Sequence, residues 1–99
     1  MKPRTIRSSP KVDSFSPSTQ EGDQKDKEPI ILTPDEWEAL CLVDYKGLLQ
    51  ESAATQMGVS RGTVWRCLDN ARRKVATALA EGRQLILLPL KDAQQESSD

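Results

Sequence analysis

Histidine is absent from the 99 residues, which removes the side chain most used as a general base near neutral pH and the commonest metal ligand. Cysteine is scarce. Cys41 and Cys67 stand far apart with no CxxC spacing, so neither a disulfide scaffold nor a cysteine zinc site fits, and a reducing compartment is expected. The aromatic residues are Phe15, Trp37, Tyr45 and Trp65 alone, and apolar residues make up 36%, enough for one small domain with little core to spare. No apolar run approaches the ~18–20 residues of a transmembrane helix. The basic residues near Met1 are not followed by the hydrophobic segment of a secretory signal. Neither a GxGxxG fingerprint nor a Walker loop occurs, and no set of acid, base and nucleophile stands out. The expectation is a cytoplasmic protein without cofactor or metal that is not an enzyme.

The net charge of −1 conceals a strong pattern. Residues 1–20 carry +3 and residues 21–51 carry −6, while residues 52–84 carry +4 and residues 85–99 carry −2. Two basic segments thus flank an acidic one. Charge runs alone are compatible with ordinary solvated surface, so their meaning depends on the elements that bear them.

Residues 1–29 are rich in Ser, Pro, Lys, Gln and Asp, with too few apolar members to offset the ordering of their backbone; they read as a mostly disordered arm. Residues 30–90 read as the folded domain and 91–99 as a polar tail. Within the domain, Ile30–Leu32 reads as a short strand. Thr33-Pro34-Asp35-Glu36 combines a capping hydroxyl, Pro at the first helical position and Glu at the site that closes a capping box. The helix that follows is expected over about 34–45, with Trp37, Leu40 and Asp44 on one stripe, Leu42 and Tyr45 on the next, and Gly47 at its end. A second helix is expected over about 50–57, poorly capped because Leu49 stands where Ser or Thr would accept from free amides. A third should run from Arg61 to about Glu81, stopped by Gly82, and Leu85–Leu88 reads as a buried strand ended by Pro89.

The segment from Gln50 to Asp69 has the pattern of a helix-turn-helix. Ala54 is small enough for a close helix crossing, and Gly58 supplies the positive φ of a sharp turn. Ala53, Met57, Val59, Val64 and Cys67 form an apolar seam, with Ser60 as N-cap of the second helix. The fold class expected is therefore mainly α, a three-helix helix-turn-helix domain with a short two-stranded β element and a disordered N-terminal arm.

Further stretches carry a family resemblance: Leu32-Thr33-Pro34-Asp35-Glu36-Trp37-Glu38-Ala39-Leu40, Met57-Gly58-Val59-Ser60-Arg61-Gly62-Thr63 and Ala71-Arg72-Arg73-Lys74-Val75-Ala76, with a fainter echo at Phe15-Ser16-Pro17. With these the chain resembles a family of small prokaryotic proteins predicted to bind DNA, whose helix-turn-helix is similar to region four of bacterial sigma factors. It departs from that family where Thr5 and nearby serines replace cysteines of the arm, where Leu49 replaces a capping Ser, and where Trp65 replaces a polar residue.

In helix-turn-helix docking the start of the second helix faces base edges in the major groove, which assigns Arg61, Trp65 and Arg66 to base contacts. Ser60, Thr63, Asn70, Arg73 and Lys74 are expected at phosphates, which position without specifying sequence. Bland alternatives stand beside these: solvated arginines, a Trp half-buried against Leu68 and Asp69, Arg72 paired with acids of the first helix such as Glu36 or Glu38, and Cys67 as a small hydrophobe. The expected function is sequence-specific binding of double-stranded DNA by a transcriptional regulator, acting as a homodimer whose apolar strands 30–32 and 85–88 meet within one chain or across a two-fold axis. The alternative is a protein-interaction module that docks on RNA polymerase through the sigma-like surface.

Overall fold

The structure, a computed structural model, describes residues 13–18 and 27–89. Its elements in chain order are strand β1 (Ser14–Phe15), strand β2 (Ile30–Leu32), helix α1 (Pro34–Ala39) continued by a π-helical segment (Leu40–Tyr45), helix α2 (Gln50–Met57), helix α3 (Arg61–Glu81) and strand β3 (Leu85–Leu87). The domain is mainly α with a small three-stranded sheet.

The helix ends follow the local chemistry. The Thr33 hydroxyl accepts from the Glu36 amide while Glu36 Oε1 accepts from the Thr33 amide at 3.0 Å, a complete capping box. Leu49 offers α2 no side-chain acceptor, as its apolar side chain requires. Gly58 closes α2 at φ 72° and Gly82 closes α3 at φ 66°, both in the left-handed region that glycine enters without a Cβ clash.

The first helix departs from a regular α-helix. From Leu40 its bonds widen, and the Lys46 amide donates to the Cys41 carbonyl at 2.9 Å. The wider turn rotates Tyr45 off the stripe expected to hold it with Leu42: Leu42 is buried, whereas Tyr45 is 83% exposed. Asp44 likewise leaves the Trp37 stripe and faces α3.

The sheet contains the expected pair of strands within one chain and adds to it a third strand from the expected arm. Its order is β1-β3-β2, with β2 parallel to β3 and β1 antiparallel to it. Ile30 lies opposite Leu85, Ile31 opposite Ile86 and Leu32 opposite Leu87. Ser14 and Phe15, expected in a disordered arm, pair with Ile86 and Leu85, and the Leu87 amide donates to the Asp13 carbonyl at 2.9 Å. The cause is the backbone of β3, whose second edge would otherwise carry unpaired amides and carbonyls. The rest of the expected arm, residues 1–12 and 19–26, and the tail from residue 90 lie outside the described residues. Strand β3 is thus paired along both edges within one chain, with Leu85 buried and Ile86 and Leu87 partly buried.

Packing follows the helical stripes. Ala53, Met57, Val64 and Leu68 join Ala39 and Leu42 in one core, onto which Val59 and Cys67 pack as the expected seam. Further along α3, Ala71 meets Leu32 and Trp37, and Ala78 meets Ile30 and Leu85. Trp37 Nε1 donates to the Leu88 carbonyl at 3.2 Å, which gives the buried indole its polar partner and ties α1 to the end of β3. Among the described residues no helix is long and apolar enough to cross a membrane.

Candidate functional site

The turn between α2 and α3 is built by three consecutive residues. Gly58 reverses the chain, and its amide donates to the Thr55 carbonyl at 3.2 Å. Val59 then packs on the core. Ser60, in an extended conformation, accepts from the Thr63 amide at 3.1 Å and so occupies one of the free donors that begin α3. The Thr63 hydroxyl lies 3.0 Å from Ser60 Oγ, which makes Thr63 part of the cap.

The residues singled out in the sequence separate into two groups. With about 100° per residue, the buried stripe Val64, Leu68 and Ala71 faces the core, and Gly62, Arg66, Asp69 and Arg73 form the ridge opposite it. Trp65 flanks this ridge and is 53% exposed. Arg61, Arg66 and Asn70 are exposed too. Among the described residues, Arg66 makes a long contact with Thr63 Oγ1, at 3.5 Å. Arg73 Nε lies 3.4 Å from Asp69 Oδ2 one turn back, so the acid on the ridge is neutralised locally. No acidic residue occupies the first turn of α3. The fold therefore brings Ser60, Arg61, Thr63, Trp65 and Arg66 to the start of α3, with Asn70 and Arg73 exposed near its middle.

Lys74 is not brought there. Its Nζ donates to the Ile31 carbonyl and to Glu36 Oε1, each at 2.7 Å, bridging α3 to β2 and to the capping box. Glu36 is buried, so this ion pair is held in a less polar setting than a surface pair. The sequence carried a signal for it: Lys74 lies three residues after Ala71 and four before Ala78, on the edge of the buried stripe. Arg72 pairs with an acid of the first helix, as its bland alternative expected, with Asp44 in place of the examples Glu36 and Glu38. Its Nε and Nη2 donate to Asp44 Oδ2 and Oδ1 at 3.0 and 2.8 Å, a bidentate contact that the π-helical rotation makes available. The Arg72 hydrogen bonds hold the Asp44 carboxyl below its ordinary range.

Neither cysteine has the setting of a reactive thiol. Cys67 packs against the core, and at Cys41 partial burial and the Glu38 carboxylate push the thiol up despite Lys46 nearby. Among the described residues no group of three or more Cys, Asp or Glu side chains converges as a metal site would require.

Fold and site together define a small, mainly α domain that presents an exposed, arginine-bearing helix end beside a tight glycine turn. The chain belongs to the family described as "Protein of unknown function DUF134", whose profile matches residues 1–92. It is 56% identical over 88 residues to a UPF0251 protein of Pyrococcus horikoshii, covering 89% of this chain and 79% of that one. A UPF0251 protein of Pyrococcus furiosus is 65% identical over 63 residues, and the match spans 64% of this chain and 58% of that relative's length. A UPF0251 protein of Methanosarcina acetivorans is 40% identical over 97 residues, covering 98% of this chain and 85% of the other. No solved structure is significantly similar to the chain.

Proposed function

We propose that this protein binds double-stranded DNA through α2, the Gly58 turn and α3, acting as a helix-turn-helix similar to region four of sigma factors, and that it regulates transcription. The observation that carries this reading is the composition of the exposed start of α3. Arg61, Trp65 and Arg66 lie there with Ser60 as cap and without an acid in the first turn, in a chain whose net charge is negative. A solvated helix surface needs no such segregation; a phosphate-lined groove attracts it. Arg66 is the best candidate for a base edge because no acid among the described residues holds its guanidinium, and a guanidinium can donate twice to a guanine. Arg73 and Asn70, further along the same side, suit phosphates. Lys74 is left out of this set because its charge is committed to Glu36.

Binding to a randomised duplex pool, followed by titration of an enriched duplex with salt, tests the reading. Enrichment of a defined sequence is expected, with log affinity falling against log salt by about 0.9 per phosphate engaged. A palindrome among the enriched sequences would mean that two copies bind together. A flat salt response and no enrichment, with saturable binding to RNA polymerase, would replace this reading with a protein-interaction module.

A further inference from the structure

Gly62 has no reason for being glycine inside the chain. It lies in the first turn of α3, is exposed, and is absent from the glycines of positive φ. Among the described residues, a Cβ built there meets only Ser60 Oγ at 3.9 Å, an ordinary contact. Glycine in a helix costs up to about 1 kcal/mol relative to alanine, so a position that tolerates a side chain and lacks one gives away stability. Gly47, Gly58 and Gly82 are explained by their left-handed backbones; Gly62 is not.

The neighbours of Gly62 supply the missing reason. On the helical surface it sits between Trp65, three residues on, and Arg66, four residues on. Trp65 is an exposed indole at the margin of a basic face, where solvation alone gives no return for so large an apolar ring. Gly62 leaves the helix surface beside the Trp65 indole and the Arg66 guanidinium without a side chain. Such a surface suits a partner that is closely approached, mostly anionic and locally apolar. In duplex DNA the apolar element of the major groove is the 5-methyl group of thymine.

We propose that Gly62 and Trp65 form a reader of the thymine methyl group. Gly62 lets α3 approach the groove floor, the Trp65 ring packs on the methyl, and Arg66 reaches the adjacent base pair. The inference rests on the DNA-binding reading above and adds to it the base feature that the helix selects.

The test uses the full chain, a duplex enriched from the randomised pool, and the same duplex with deoxyuridine in place of thymine, which removes the methyl alone. The wild-type protein should bind the deoxyuridine duplex about fourfold more weakly, the equivalent of ~0.8 kcal/mol for one methyl group taken from water. Trp65→Ala should bind the two duplexes equally. Gly62→Ala should melt at the same temperature as wild type or higher, yet bind the thymine duplex at least tenfold more weakly. Equal wild-type affinity for both duplexes would overturn the proposal while leaving DNA binding intact, as would undiminished affinity of Gly62→Ala. Failure of the wild-type chain to enrich any duplex would overturn the DNA-binding reading and this proposal with it.

Discussion

At the scale of single residues, the arginines of α3 have different fates that follow from their neighbours. Arg66 sits in the outward ridge with no carboxylate of the described residues on its guanidinium, Arg73 shares Asp69, and Arg72 is clamped on Asp44. Under the proposed function, Arg66→Ala should abolish preference at one base pair, at a cost of about 1–3 kcal/mol there, whereas Arg73→Ala should weaken all duplexes alike and flatten the salt dependence. Binding of a panel of single-base variants distinguishes the two, and a reversal of these effects would exchange the two roles. The Asp44–Arg72 pair gives a prediction about pH. Its carboxyl is held below its ordinary value of 3.8, so the pair stabilises the fold above that pH and the contribution disappears as pH falls through the lowered value. Asp44→Asn should therefore melt slightly below wild type at pH 7, and the two curves should converge in strong acid. Both partners are substantially exposed, so the gap at pH 7 should be small and should shrink with salt. A gap that persists unchanged at pH 2 would show that the asparagine acts by some means other than lost charge.

At the scale of elements, α2 is the weak link. It has eight residues, and its N-cap Leu49 is 73% exposed and offers the first turn its backbone carbonyl but no side-chain acceptor. Its backbone is already extended, as a capping residue requires, so Leu49→Asp should add about 1 kcal/mol of stability without repacking, measured by urea denaturation. No gain would mean that the exposed Leu49 contributes packing that the aspartate forfeits. The same elements show what can be read from sequence. Thr33, Ser60, Gly58 and Gly82 act through bonds and dihedrals only a few residues away, so each helix end was legible. The seam of Ala53, Met57 and Val64 was legible because helical spacing alone puts those residues on one side. The π-helical turn was not, because no residue type encodes a switch from i→i+4 to i→i+5 bonding. Its consequences, the exposed Tyr45 and the choice of Asp44 by Arg72, were hidden with it. Strand β1 was also invisible: two residues, one of them an exposed Phe15, give no periodic signal, and their pairing is dictated by the bare edge of a strand seventy residues away. At the candidate site the exposed arginines were foreseen from the helix pattern, but the capture of Lys74 by Glu36 depends on a fold-wide contact that local spacing only hints at.

At the scale of the whole molecule, the sheet closes the domain by joining chain segments from both sides of the helices. Removing residues 1–17 should strip β1 from β3, lower stability on the order of 1–3 kcal/mol for the lost backbone bonds, and present a free apolar edge. Denaturation and light scattering would register this as a lower midpoint and concentration-dependent association. An unchanged midpoint and a persistent monomer would show that β1 is dispensable. Helix α3 links this sheet to the site. Its 21 residues span about 30 Å, with Ala78 among the sheet residues at one end and Arg61 beside the glycine turn at the other. Lys74 pins the helix between them, to Ile31 and Glu36. The helix thus acts as a lever with a fulcrum. Arg61 lies about 20 Å from Lys74 along the axis, so a tilt of about 5° at the sheet swings the arginine end by roughly 2 Å, enough to break a hydrogen bond to a base edge. The aim of the site is therefore set remotely, by the fit of Ala78 and Leu85 and by a single lysine, none of which touches whatever the helix end binds.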